Sequence, residues 1–310
     1  MNLQQLRYLC GVVEARFSVS RAAEALHTSQ PGISKQIQLL EAELGVDILI
    51  RQGNRIIGLT DPGREIHAVA QRMLWDAANL KQIGDEYARK SRGRLVVGTT
   101  HVHARYVLLP VIKEFTRKYH DVNLELRQGN PREIAQWVLS GEADMGISAT
   151  PPDQLPEDLV CLDCDPLPRS VITLPGHPLQ KLKRLTLEKI AAYPLVTLDA
   201  SFTGGATVIK AFAAVGLKPR IVMSAIDTDV IKAYVEIGHG IAILPSVAFD
   251  PVRDHALRAI DASHLFEPTL TRIELQRGKV LRGYMRDFIG MVHARWSETA
   301  IERALHNLRK

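Results

Sequence analysis

The stretch Ser18-Val19-Ser20-Arg21-Ala22-Ala23-Glu24-Ala25-Leu26-His27-Thr28-Ser29-Gln30-Pro31-Gly32-Ile33-Ser34-Lys35-Gln36-Ile37-Gln38-Leu39-Leu40 decides how the N-terminal third folds. Val19, Ala22, Ala23 and Leu26 fall at i, i+3, i+4 and i+7, the apolar face of a short helix, with Ser18 before it as an N-cap. His27-Thr28 makes a tight break. Ser29 then caps a second helix, whose first turn tolerates Pro31 because no i−4 partner is needed there. Along that helix Ile33, Ile37, Leu40 and Leu44 face one way, and Gln30, Ser34, Lys35 and Gln38 the other. A short helix, a tight turn and a helix with a donor-rich outer face describe a helix-turn-helix. Glutamine can pair bidentately with adenine in the major groove, while Ser34 and Lys35 suit phosphates or guanine. A generic helical hairpin with a solvated polar face would share the pattern, so the next segment matters.

Residues 46–51 read as a strand, Gln52-Gly53-Asn54-Arg55 as a turn and residues 56–60 as its return. A hairpin directly after a recognition helix is a wing, and Arg51 and Arg55 place positive charge where the DNA backbone would pass. Thr60-Asp61-Pro62 opens a helix that no proline interrupts before Arg92-Gly93. Within it Ile66, Ala70, Met73, Ala77, Leu80, Gly84 and Tyr87 recur at spacings of four and three, a heptad seam. The seam packs either on helices of its own chain or on the same helix of a second chain. A helix of roughly 40 Å is too long for a small winged domain to cover, which favours the second. The expected organisation is a winged helix-turn-helix over 1–60, a linker and dimerisation helix over 61–92, and a further domain over 93–310.

From Arg94 onward strands and helices alternate. Strands are expected at 95–98, 122–126 and 143–147, with helices at 104–119 and 133–140 between them. A second run places strands at 169–174, 194–197, 220–223 and 241–244, and helices at 206–215 and 228–237. This predicts an α/β domain with mostly parallel sheet in two lobes, lobe I about 93–165 and 267–310 and lobe II about 166–266. A final helix from 284 to about 308 would pack back on lobe I. Ligands in such sheets bind beyond the carboxyl ends of strands, at helix N-termini. Thr99-Thr100 follows the first strand, and Phe202-Thr203-Gly204-Gly205 precedes the helix at Ala206. Each offers a hydroxyl and free N–H groups, and the glycines admit close approach. Helix capping explains either alone; one in each lobe suits a small anion or carboxylate.

Composition narrows the alternatives. With 310 residues, 46% hydrophobic and 24% charged, the chain buries an ordinary core. Aromatics at 5% argue against a carbohydrate or base-stacking surface. Apolar runs such as Ile241-Ala242-Ile243-Leu244 fall far short of the ~20 residues that span a bilayer, so no membrane is expected. Gln4 and Gln5 stand where a signal peptide would build its apolar core, and a cytoplasmic protein is expected. Three cysteines make no disulfide framework, and Cys161-Leu162-Asp163-Cys164, lying in a strand-like stretch with no second pair, points to packing rather than zinc or redox chemistry. A net charge of +5 permits a polyanionic partner. No G-x-S-x-G, P-loop, H-E-x-x-H or G-x-G-x-x-G occurs, so neither an enzyme nor a cofactor is expected. His101 and His103 form an H-x-H without a recognisable third ligand, and no metal is expected.

Motif after motif, residues 1–90 resemble the DNA-binding domain of LysR-type transcriptional regulators. The resembling stretches are Leu3-Gln4-Gln5-Leu6-Arg7-Tyr8, Ser20-Arg21-Ala22-Ala23-Glu24-Ala25-Leu26, Ser29-Gln30-Pro31-Gly32-Ile33-Ser34-Lys35-Gln36-Ile37 and Leu59-Thr60-Asp61-Pro62-Gly63. Residues 94–310 resemble the periplasmic-binding-protein-like effector domain of the family, in its sulfur-assimilation branch. They do so through Thr99-Thr100-His101, Ala104-Arg105-Tyr106, Phe202-Thr203-Gly204 and Asp229-Val230-Ile231-Lys232-Ala233-Tyr234-Val235. The resemblance implies a homodimer or homotetramer that binds promoter DNA through Ser29, Gln30, Pro31, Ser34, Lys35 and Gln38, with Arg51 and Arg55 at the wing. It also implies RNA polymerase as a partner and an acetylserine, sulfate or thiosulfate effector held by Thr99, Thr100 and Thr203. The branch's Thr-His-Thr-Gln reads Thr100-His101-Val102-His103 here, and the threonine of the third strand is either replaced by Ala149 or shifted to Thr150. His103, when protonated, would restore a donor and make binding pH-dependent. A regulator of an unrelated pathway would share these features; a solute-binding protein would share the cleft without the helix-turn-helix.

Overall fold

The structure, a computed structural model, describes residues 1–53, 55–88 and 93–306. The chain divides into two compact units, Met1–Lys90 and Ser91–Lys310.

The first unit opens with α1 (Leu3–Glu14), started by a reciprocal capping box between Asn2 and Gln5. The expected pair follows as α2 (Val19–Ala25), capped by Ser18, and α3 (Gln30–Leu44), capped by the Ser29 hydroxyl on the Gly32 amide at 3.3 Å. His27 takes the left-handed conformation that makes the turn between them, with φ of 48°. Ile33, Ile37 and Leu40 are buried against Leu6, Leu9, Val12 and Ile48. Leu44 departs from that face and is 40% exposed, because the last turn of α3 runs past the core. The hairpin forms as β1 (Leu49–Gln52) and β2 (Arg55–Leu59), antiparallel. The strand starts later than the apolar run suggests, since Val46 and Asp47 are exposed and the Ile48 amide bonds to the Glu41 carboxylate instead. Asn54 in the expected turn lies outside the described residues.

The long helix is α4 (Asp61–Ala88). Gly63 lets it start hard against the winged core, where a Cβ would stand 2.1 Å from the Ile48 carbonyl oxygen. Ile66, Ala70 and Leu74 are taken up by that core, whereas Met73 and Leu80, 36% and 70% exposed, have no cover within the unit. The seam is therefore divided between its own unit and solvent. The side chain of Tyr87, and Arg92, lie outside the described residues.

The second unit builds β3 (Gly93–Thr99), a π-helical turn (His103–Val107) leading into α5 (Leu108–Lys118), β4 (Val122–Gln128), α6 (Pro131–Ser140), β5 (Met145–Ser148) and β6 (Leu159–Leu167). It continues with β7 (Arg169–Thr173), α7 (Leu187–Ala191), β8 (Leu195–Leu198), α8 (Thr203–Ala214), β9 (Ile221–Ala225), α9 (Thr228–Glu236) and β10 (Ile241–Pro245). After β11 (Arg258–Asp261) and β12 (Thr269–Gln276) come α10 (Gly283–Val292) and α11 (Glu298–His306). The strands form two five-stranded sheets, ordered β4-β3-β5-β12-β6 and β11-β7-β10-β8-β9. Each has two parallel and two antiparallel pairings, so the sheets are mixed rather than mostly parallel. The antiparallel pairings come from the strands that carry the chain out of the first sheet and back into it, β6 to β7 and β11 to β12.

Two helical expectations change. Thr203, Gly204 and Gly205 form the first turn of α8 rather than a loop before it. The final helix is broken in two, because the Trp296 indole N–H donates to the Asp163 carbonyl at 2.9 Å and pulls the chain onto the sheet. Both pieces pack on the first sheet with Phe115, Phe288, Ile301 and Leu305; residues 307–310 lie outside the described residues. Cys161 and Cys164 sit in β6 with no disulfide between them, and burial pushes the Cys164 thiol up to about 11. Among the described residues no helix is long and apolar enough to cross a membrane.

Candidate recognition helix and anion cleft

On α3, Gln30, Pro31, Lys35 and Gln38 are exposed and Ser34 half-buried, one continuous polar face. Gln30 Oε1 accepts from the Ser20 hydroxyl at 3.1 Å, tying the start of α3 to α2. Ser29 spends its hydroxyl on the cap. Arg51 is already committed: Nη1 and Nη2 fork onto Glu41 at 3.1 and 2.7 Å. The Glu41 carboxylate also accepts the Ile48 and Leu49 amides at 2.9 and 3.1 Å. Burial alone would raise the Glu41 carboxyl, but the Arg51 fork and the two amides hold it below its usual range. Arg51 thus locks wing to helix, and Arg55 is the exposed wing cation.

The six residues read as effector contacts separate in the structure. Thr100, Val102, His103 and Thr203 line a cavity of about 40 Å³ between the two sheets, at the carboxyl ends of β3 and β8. Thr99 is not on its wall; it is fully buried, donating to the Ile147 carbonyl at 3.0 Å. At the end of β5 it is Ala149 that faces the cavity. Thr150 bonds to Ser148 at 2.6 Å and lines a neighbouring groove of about 700 Å³, shared with Thr203 and Pro131.

His103 corrects an expectation. It is 2% exposed, with Nδ1 on the Thr100 hydroxyl at 2.7 Å and Nε2 on the Thr271 hydroxyl at 3.3 Å. Burial lowers it to about 4, so the ring is neutral at physiological pH and supplies no charged donor. His101 does not converge with it. Its nitrogens instead face Asp227 at 3.0 Å and Asp229 at 3.2 Å, three groups close enough to hold a metal ion that the sequence did not bring together, and Asp229 is also matched by Arg105 and Lys232.

The sequence reading missed Arg169, placing it only as the start of a strand. It is fully buried, lines the cavity, and its three guanidinium nitrogens have no hydrogen-bond partner among the described residues. Burial lowers it to about 10, leaving a cation at neutral pH. An uncompensated buried charge costs several kcal/mol, roughly 3–5 where a partner has been removed. Beside it stands the N-terminus of α8, whose N-cap Phe202 has no side-chain acceptor, so its first amides are uncapped. A Cβ on Gly204 would come within 3.4 Å of Arg169 Nη2, while a Cβ on Gly205 would strike the Leu198 and Asp199 carbonyls at 2.4 Å. Gly205 therefore serves helix-to-strand packing, and Gly204 keeps the helix start against the guanidinium. A guanidinium and uncapped amides on one wall make an anion site. The available signal was one charge heading the otherwise uncharged strand Arg169-Ser170-Val171-Ile172-Thr173.

Residues 3–64 match the bacterial regulatory helix-turn-helix protein of the lysR family, and residues 88–297 the LysR substrate binding domain. The chain is 46% identical over 301 residues to the HTH-type transcriptional regulator SsuR of Burkholderia cenocepacia, covering 97% of each chain. It is 43% identical to the HTH-type transcriptional regulator CysB of Haemophilus influenzae, over 98% of this chain and 94% of the relative. The cofactor-binding domain of the Cbl transcriptional regulator superposes with a TM-score of 0.66 at 37% identity, covering 70% of this chain and 95% of that one. The chain belongs to the LysR family of bacterial transcriptional regulators.

Proposed function

We propose that this regulator controls genes of sulfur assimilation or sulfonate use, gated by a small anion of the acetylserine, sulfate or thiosulfate class held on Arg169, Thr100 and Thr203. The observation that carries the anion is the buried guanidinium without a protein partner beside the uncapped start of α8. The sulfur theme rests on the likeness to SsuR and CysB and on the sequence resemblance. A cavity of about 40 Å³ suits a sulfate-sized ion, room for about three water molecules. Promoter DNA is read by Gln30, Ser34, Lys35 and Gln38, with Ser29 and Pro31 setting the helix start, Arg55 on the backbone and Arg51 bracing the wing. Pairing of α4 through Met73, Ala77 and Leu80 supports a homodimer or homotetramer, and RNA polymerase receives the signal. The anion acts only by binding the closed lobes more tightly than the open ones.

Thermal unfolding of the full chain with sulfate, thiosulfate, O-acetylserine, N-acetylserine and adenosine phosphosulfate tests the reading. Ligand at ~100 times its dissociation constant should stabilise by about 2.7 kcal/mol. Arg169→Met should abolish that response and stabilise the ligand-free protein by roughly 1–4 kcal/mol, as replacing a buried charge by an apolar chain does. A response that survives Arg169→Met places the ligand elsewhere, and no response to any compound ends the sulfur reading.

A further inference from the structure

At the rim of the cleft, one turn of the first lobe meets the start of α9 in the second. Arg105 and Tyr106 project from the π-helical turn before α5, and His101 from the helical residues just ahead of it. Asp227 caps α9, Asp229 lies in its first turn and Lys232 follows. The Tyr106 hydroxyl donates to Asp229 and accepts from Lys232 Nζ at 3.0 Å. Lys232 is itself fixed, donating to both Asp254 oxygens at 2.8 and 2.9 Å and to the Ala248 carbonyl at 3.0 Å. Arg105 stands 3.6 Å from Asp229, and His101 reaches Asp227 and Asp229 at 3.0 and 3.2 Å. His101, Arg105 and Tyr106 of one lobe therefore meet the carboxylates of the other.

We infer that Tyr106, Asp229 and Lys232 are positioning residues that latch the two lobes closed over the anion cleft. The inference rests on the cleft being the effector site. His101 and Ile226, on either side of this contact, line the cavity itself, so separation here opens the cavity wall. Neither Tyr106, Asp229 nor Lys232 lines the cavity, and all three act through closure alone. In the closed contact burial would raise the Asp229 carboxyl, but the Tyr106 and Lys232 hydrogen bonds hold it at about 2. Lys232 is rigidly held before Tyr106 arrives, so closing orders few groups. An enclosed anion leaves only when the lobes part, and the latch opposes that motion.

The test uses the full chain, with Tyr106→Phe as an isosteric break and Asp229→Asn as its partner. Without ligand, amide exchange across 101–107 and 228–236 should quicken about ten- to hundredfold in Tyr106→Phe, as expected when the hydroxyl's bonds to the charged Asp229 and Lys232 are lost. Sulfate should dissociate faster and bind at least about threefold more weakly, and adding Asp229→Asn should cost less than the sum of the two single losses, since the residues share one bond. Unchanged amide exchange overturns the latch whether or not sulfate binds. Faster exchange with unchanged sulfate affinity overturns the positioning role. Failure of sulfate to bind the unaltered chain would instead strike the effector reading, leaving amide exchange to decide the latch.

Discussion

The recognition helix and the anion cleft are held in place by opposite means. The helix α3 is set by neighbours close in sequence: Ser29 caps it, Ser20 ties it to α2, and Glu41 on its own last turns grips Arg51. The cleft gathers Thr100, Ala149, Arg169 and Thr203 from separate strands and helices of two sheets, and its buried guanidinium has no hydrogen-bond partner among the described residues. The first device is satisfied internally. The second is incomplete by construction, as a sensor must be if a ligand is to change its energy.

The largest expected effect probes that self-sufficiency. Glu41→Ala removes the acceptor of the Arg51 fork and of two amides, and should destabilise the first unit by roughly 2–5 kcal/mol, mostly from the two amides, since Arg51 can reach water. Specific DNA binding should fall with it while the response to anions is kept. Two-probe unfolding and a gel shift measure this, and an unchanged first unit would mean that the clamp is ornamental.

The next effect concerns pH in the second unit. His103 is depressed from 6.5 to about 4, so its contribution to stability is full above 6.5 and is lost as pH falls through about 4. Glu274 on β12, buried and bonded by Ser148, is raised from 4.5 to about 7, so its contribution is full below 4.5 and is lost as pH rises through about 7. The two slopes oppose each other between 4.5 and 6.5. His103→Gln should therefore gain stability relative to the unaltered chain as pH falls, by about 3 kcal/mol at pH 4. Denaturant titrations at several pH values check it; a constant difference would show that the imidazole is not buried neutral. Sulfate affinity should stay flat from pH 6 to 8 as far as His103 is concerned.

The smallest effect lies on the reading face. Gln30→Ala should cost roughly 1–3 kcal/mol of operator binding, leaving the fold and non-specific binding intact. Equal affinity of the unaltered chain for operator and random DNA would contradict the assignment, and the salt dependence would show what remains electrostatic.

What was legible followed the same division. Ser18 and Ser29 as caps and the spacing of Ile33, Ile37 and Leu40 fixed α2 and α3, because a helix is decided by residues within a few turns. Even there α1 went unread, although Asn2 and Gln5 spell its capping box. In the second unit β12 escaped because its partners, β5 and β6, lie more than a hundred residues earlier, and no helix separates it from β11. The break between α10 and α11 carries no proline or glycine and depends on Trp296 meeting Asp163. Arg169 could be read as a charge on a strand, but its isolation is a property of the assembled cavity. Thr99 and Thr150 were placed by adjacency along the chain, while their hydroxyls are held by the Ile147 carbonyl and by Ser148, away from the cavity that Thr100 and Ala149 line.

The Glu41–Arg51 clamp has a consequence for how such regulators diversify. The residues that fix the spacing of helix and wing lie behind the reading face, so substitutions at Ser34, Lys35 or Gln38 leave the scaffold untouched. A duplicated gene can then acquire new target promoters by point changes on one surface, while its inherited sensor continues to report the same metabolite.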